Sequence, residues 1–395
     1  MKYILCKAVI PILFIFYLMP APVLASAETV SKGTEELVNA QLERMDLSEV
    51  MEYWEDITNE YGGFLPESQK GSFYEFLKGE KKFSLEEWAK AFMKFAFHEF
   101  IANGKLMGSI ILLTVFSMFL QSLQNAFEKS TISKVAYSIV FMVLVILALN
   151  SFHIVIDYTN EAIRTMSAFI LALIPLLLGL IAASGGIVSA AFFHPVVLFL
   201  MNISGVLVET IVLPLLFLST LLSIVSMMSE HYKVSQLAGM LKNWSIGLLG
   251  IFLTIFLGVL SVQGATSAVS DGIAIRTAKF ITGNFIPVIG RVFTDAADTV
   301  IGASVLLKNT VGIFGVLLLL VIAAFPAIKI LMIAFIYKFA AAILQPLGGG
   351  PIISCLDMIG KNIIYVFASL GIVSLMFFLC MAVIVAAGNI TMMMR

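Results

Sequence analysis

From Leu106 to Ala387 the chain is a succession of apolar runs, and the length of each run decides what it can be. A helix that crosses a bilayer core needs about 20 apolar residues at about 1.5 Å rise per residue. Leu106–Leu123 and Val135–Phe152 each fit one crossing, and the stretch after Phe152, with Asp157, Glu161 and Arg164, reads as a loop. Ser167–Ala183 is short and contains Pro175, so it either crosses or forms one arm of a re-entrant hairpin turning at Ser184, Gly185 and Gly186. Ile187–Met228 holds 42 residues, twice what a core needs, so it crosses twice or breaks, and Pro214 marks the expected break. Trp244–Val262 fits one crossing; Val311–Leu344 is a second over-long run with Pro326 inside it. Gln345–Pro351 reads as a loop, and Ile363–Ala387 as the last span. The pattern predicts an all-α polytopic membrane bundle over 106–388, with about eight to nine hydrophobic segments and a short tail at 389–395.

The punctuation of these runs recurs at an offset of 112 residues: Ile174 and Pro175 correspond to Ile286 and Pro287, and Pro214 to Pro326. An internal duplication, with copies at 135–243 and 247–345, is one reading, and two-copy architecture is common among permeases. A chance match between two apolar stretches is the other. Under either reading Pro175, Pro214, Pro287 and Pro326 are the candidate helix breaks.

Ahead of the apolar runs, residues 1–27 read as a cleaved secretory signal: Lys2 and Lys7, an apolar core from Ala8 to Met19, and Ala25, Ser26 and Ala27 as the cleavage site. An uncleaved first anchor is the alternative, and both put the next segment outside the cytoplasm. That segment, 28–105, carries helix-start signals at Asp46 with Glu49 and at Ser84 with Glu87, and Gly62–Pro66 separates its helical regions. Its last helix sets Trp88, Phe92, Phe95 and Phe100 among charges, as a headgroup-layer helix, one packed on a partner or one closing a small core of its own would. About 75 residues make a thin core, so the segment is expected to rest on a neighbour. Lys129 and Lys134 in the first internal loop, and His231, Lys233 and Lys242 in a later one, place those loops in the cytoplasm.

Composition sharpens the picture. The chain is 60% hydrophobic and 12% charged, half the charge of an ordinary soluble domain. The charge is also unevenly placed: 28–105 holds 16 acids and 9 bases, while the remainder from Leu106 holds 9 acids and 13 bases. Three cysteines, Cys6, Cys355 and Cys380, form no paired pattern, and four scattered histidines lack ligand spacing, so no metal or other cofactor is predicted. No phosphate-binding G-x-x-x-x-G-K-[ST] loop and no H-E-x-x-H pair occur, and the chain does not read as an enzyme.

Charge inside apolar runs is the remaining chemical signal, because an ionisable group at the bilayer centre costs about 2.5–3.5 kcal/mol. Glu209 lies just before Pro214 and Lys329 just after Pro326. Both are candidate pathway or helix-pairing residues, as a pair facing one interior or as separate groups reaching water. The polar stretch 264–308 adds Arg291, Asp295 and Asp298, which share a helix face and suit a polar cavity lining or a solvated surface equally.

The chain resembles the stage III sporulation protein AE family of endospore-forming bacteria. The resemblance rests on Ile174 and Pro175 through Phe192, Phe193, His194 and Pro195; on Phe285–Gly290 through Asp295–Val300 to Leu307, Lys308 and Asn309; and on Gln345–Gly348. It implies a permease-like subunit of a mother cell–forespore transenvelope complex, in the mother-cell membrane surrounding the forespore, supporting forespore metabolism and late gene expression. The implied partners are a separate cytoplasmic ATPase, further small membrane subunits, ring-forming membrane proteins and a forespore membrane protein. No nucleic acid is implied. Two alternatives stand beside it: an autonomous secondary transporter of a small solute, and a non-conducting membrane scaffold.

Overall fold

The computed structural model describes residues 47–66, 84–126, 131–228, 233–285, 289–347 and 350–393. Among them there is no strand. The helices are α1 (Ser48–Tyr61), α2 (Leu85–Ala102), α3 (Gly104–Ala126), α4 (Thr131–Ala183), α5 (Ile187–Leu207), α6 (Leu213–Met228), α7 (Ser235–Phe285), α8 (Ile289–Leu344) and α9 (Pro351–Met393). A five-residue π turn, Val208–Val212, joins α5 to α6, and a 3₁₀ turn, Gln345–Leu347, follows α8.

Six of these stretches are long and apolar enough to cross a membrane: Gly104–Leu123, Val135–Ala183, Ile187–Met228, Ser235–Gly264, Val300–Leu344 and Pro351–Ala386. The chain is a polytopic membrane helix bundle. The count falls below the expected eight to nine because neighbouring segments are continuous. The expected loop after Phe152 is helix, and α4 carries Asp157, Glu161 and Arg164 in its middle.

Three of the four expected breaks are absent. Pro175 lies inside α4 and Pro326 inside α8, and the chain stays helical from Ile187 past Pro214 to Met228. A proline inside a helix costs about 3 kcal/mol. Leaving the helix in an apolar setting would strand several backbone groups at once, which costs more. At Pro214 the accommodation is visible: the Leu213 N–H reaches back to the Val208 carbonyl, and this wider turn keeps the proline ring clear of the preceding carbonyls. Pro287 lies outside the described residues, between the end of α7 and the start of α8.

The turn expected at Ser184–Gly186 is present. Gly185 has φ 93°, a left-handed conformation, and the Gly186 N–H bonds the Ile181 carbonyl at 2.9 Å, closing α4 with a Schellman-type cap. The equivalent position at an offset of 112 residues falls within α8, so that offset does not superpose the two helical hairpins.

Long helices remain long because their polar side chains are satisfied locally. Thr114, Thr159, Ser204 and Thr220 are buried, and each hydroxyl donates to the carbonyl four residues earlier. Others cross between helices: the Tyr337 hydroxyl donates to Ser151 Oγ at 2.8 Å, Asn362 to Thr220 Oγ1 at 2.9 Å, and Ser245 to the Val212 carbonyl of the π turn at 3.1 Å. The α8–α9 interface is the most extensive, and α4 packs on both. Close approach there uses glycine: a Cβ on Gly360 would lie 3.2 Å from the Ala334 carbonyl oxygen and 3.3 Å from the Lys338 nitrogen.

Candidate functional site

The N-terminal helices rest on the bundle. In α1 the apolar positions Val50, Trp54, Ile57 and Tyr61 recur at helical spacing and are buried, while Glu49, Glu52, Glu55, Asp56 and Glu60 are exposed. Asp46 lies outside the described residues; the α1 cap is Leu47, with no side-chain cap. The second expected start holds: Ser84 Oγ accepts from the Glu87 N–H at 3.5 Å. The turn at Gly62–Phe64 ends α1 as expected.

Rings fix these helices in place. Trp54 meets Phe314 and Tyr53 meets Phe169, both at 5.6 Å between centroids. Tyr61 stacks flat on Phe325 at 4.0 Å and 2°, while Phe92 and Phe95 of α2 present their edges to the same Phe325 at 5.7 and 4.8 Å. Phe325 is fully buried, directly before Pro326.

Beside this stack, α1, α4 and α8 line an open cleft of about 550 Å³. Its wall includes Tyr53, Asp56, Glu60, Tyr158, Glu161, Pro326 and Lys329. The Lys329 Nζ donates to Glu60 Oε1 and to the Tyr61 hydroxyl oxygen, each at 3.2 Å. The same ammonium lies 5.1 Å from the Tyr61 ring centre and 5.3 Å from that of Tyr158. Burial, reinforced by the Glu60 carboxylate, holds the Tyr61 phenol above its ordinary value, so it stays protonated at neutral pH. Three carboxylates, Asp56, Glu60 and Glu161, line the cleft with one lysine, so its wall is net negative and rich in tyrosine. Such a wall holds cations, and the one it holds here is Lys329.

Glu209 is not the partner of Lys329. It pairs with Arg164 of α4, whose guanidinium is largely exposed. Arg291, Asp295 and Asp298 lie in the first turns of α8, and their side chains are outside the described part. A further ionic group ties α8 to α9: Asp357 is bonded by Lys338 at 3.3 Å and Lys361 at 2.5 Å. Cys355 and Cys380 are buried apart from one another as free thiols. Sequence reasoning missed Glu60, Tyr61, Tyr158 and Glu161. The amphipathic spacing of α1 is the signal that could have brought in the first two.

No solved structure matches the chain. The family described as stage III sporulation protein AE matches residues 68–388. Stage III sporulation protein AE of Bacillus subtilis (strain 168) is 66% identical over 368 residues, covering 93% of this chain and 92% of that protein. A match across the bundle and most of the N-terminal segment, at that identity, settles the family: the chain belongs to the stage III sporulation protein AE family.

Proposed function

We propose that this chain is the permease-like membrane subunit of the mother cell–forespore transenvelope complex, and that its bundle reaches beyond the bilayer to meet the other subunits. The observation that carries the reading is the seat of α1. A helix that exposes Glu49, Glu52, Glu55, Asp56 and Glu60 belongs in water, not against acyl chains. It nevertheless lies on α4 at Phe169 and on α8 from Phe314 to Lys329. These helices have 53 and 56 residues, about 80 Å of rise against a core of about 30 Å. On this reading one part of the bundle sits in lipid, and the part under α1 extends on the extracytoplasmic side, where ring-forming partners would dock.

The test is thiol labelling in sporulating cells. Single cysteines at exposed Glu52 and Glu55 of α1, and along Leu106–Leu123, are probed with a membrane-impermeant reagent, with and without the partner subunits. Labelling on α1 that partners suppress, with protection along 106–123, is the expected result. Labelling of α1 that partners leave unchanged refutes the docking role. The cavity favours a second reading, an autonomous transporter of a small cation; uptake by the purified chain alone in proteoliposomes would establish it.

A further inference from the structure

α2 has two faces, and the bundle covers one of them. Trp88, Ala91 and Phe95 are buried, and Phe100 lies against Phe335 and Phe339 of α8. On the other face Met93, Phe97 and Ile101 are 60%, 62% and 74% exposed at steps of four residues. The neighbouring α1 differs, because each of its exposed residues is polar. Three large apolar side chains in one stripe mark a surface that something covers.

Packing of the inner face explains the spacing of this stripe but not the height at which it stops. α2 runs into α3 with little break: the Asn103 N–H bonds the Glu99 carbonyl at 3.0 Å, and the Met107 N–H bonds the Asn103 carbonyl at 3.1 Å. Eleven residues separate Ile101 from Leu112, about three turns, so the stripe continues on α3 through Leu112 and Phe119, inside the span Gly104–Leu123. Heights on α2 and α4 are tied through α8. Phe100 meets Phe335 and Phe339, and Tyr337 between them donates to Ser151 of α4. From Ser151 toward its N-terminus α4 exposes Ile146, Met142 and Ile139; in the other direction come His153, Asp157 and Arg164, all exposed. The change from apolar to charged on α4 therefore falls near the height of Ile101 and Phe97. On α2 the change follows within two turns, at Lys94 and Lys90. A planar bilayer surface imposes a common height on every helix that crosses it, whereas the packing of separate inner faces does not.

We propose that the outer stripe of α2 is embedded in the outer leaflet of the membrane, with Ile101 and Phe97 against the upper acyl chains and Met93 among the headgroups. Lys105, exposed four residues past Ile101, carries its ammonium to the lipid phosphates on its apolar stem. The N-terminal segment is then held from two sides, by α8 within and by lipid without. This embedding needs no partner subunit. It shares with the proposed function only the placing of α1 in water, which Glu52 tests separately.

The experiment places the full chain, with Cys6, Cys355 and Cys380 replaced, in nanodiscs of phosphatidylcholine and phosphatidylglycerol. Single cysteines replacing Phe97 and Ile101 carry a nitroxide, with Leu112 on α3 as the lipid reference and Glu52 on α1 as the water reference. Oxygen concentrates among acyl chains and a nickel chelate stays in water, so relaxation by each reads the surroundings of the label. The expected result is loss of nickel relaxation at Phe97 and Ile101, as at Leu112, with oxygen relaxation retained. Nickel relaxation as strong as at Glu52 means that water covers the stripe, and loss of both means that protein does; either overturns the proposal. Nickel exclusion at Glu52 too would overturn both readings, because no boundary would then separate α1 from α2. The unsubstituted chain gives an independent check: with a phospholipid carrying a diazirine on its acyl chain, illumination should attach lipid to Phe97 or Ile101 and not to α1. Adducts confined to α3 and the later helices would refute the embedding.

Discussion

Lys329→Met keeps most of the side-chain stem and removes the ammonium that ties α8 to α1. Three contributions are lost. The contact to Glu60 contributes at most about 1 kcal/mol, because that carboxylate is 59% exposed and screened. The bond to the Tyr61 hydroxyl is charge-assisted and partly buried, and contributes about 1.5 kcal/mol. The two ring contacts add about 0.5 kcal/mol each at their 5.1 and 5.3 Å separations. These share one ammonium, and its release from partial burial offsets some of the loss, so the net effect is about 2 kcal/mol. That is about a 30-fold rise in the undocked population of α1. Amide hydrogen exchange of the full chain in nanodiscs reads it directly: amides of Ser48–Tyr61 should exchange about 30-fold faster, with those of α9 unchanged. Unchanged exchange in α1 would refute the assignment of Lys329 as its anchor. Equal acceleration in α9 would mean that the cluster supports the whole bundle.

Further outcomes follow from the same geometry. Phe325→Ala removes the ring on which Tyr61, Phe92 and Phe95 converge, at a cost of about 3–5 kcal/mol, and should accelerate amide exchange in α1 more than Lys329→Met does. Glu60→Gln should accelerate α1 exchange by less than about fivefold, since its pair is solvent-screened. Gly360→Ala should lower the thermal midpoint by the equivalent of about 1–3 kcal/mol, because the new methyl meets the α8 backbone; an unchanged midpoint would refute the close approach. The Tyr61 phenol is raised in the docked state, so its contribution is complete below the ordinary tyrosine value of 10.0 and is lost as pH rises above it. Exchange in α1, corrected for intrinsic rates, should be flat from pH 7 to about 9 and climb beyond 10, and Tyr61→Phe should flatten that climb.

The membrane bundle was legible because run length and apolar content leave no other fold for Val135–Ala183 or Pro351–Ala386. Its divisions were not. Asp157, Glu161 and Arg164 have the polarity of a loop, yet Glu161 faces the cavity under α1 and Arg164 pairs with Glu209, so the polarity marks contacts within a continuous helix. Proline was read by a rule that assumes water waits to satisfy a broken turn, and at Pro175, inside the apolar run Val135–Ala183, that alternative is missing. Lys329 stood out in the sequence because an apolar run retains a charge only for a partner. The partner, Glu60, lies 269 residues away, and no periodicity or spacing connects the two. Glu209 was visible for the same reason, and Arg164, 45 residues back, was just as hidden.

The way α1 is attached also sets the order in which the molecule comes apart. It touches the bundle along one face, through four buried side chains and a few rings, whereas α8 and α9 grip one another along most of their lengths. Opening of α1 therefore costs a fraction of what global unfolding costs, and it proceeds as a unit because Trp54 and Tyr61 sit on the same short rod. That makes α1 a separable cover on a stiff post. A partner that grasped its acidic face could lift it, uncovering Phe314, Phe325 and the tyrosine-lined cleft without disturbing the contact of α8 with α9.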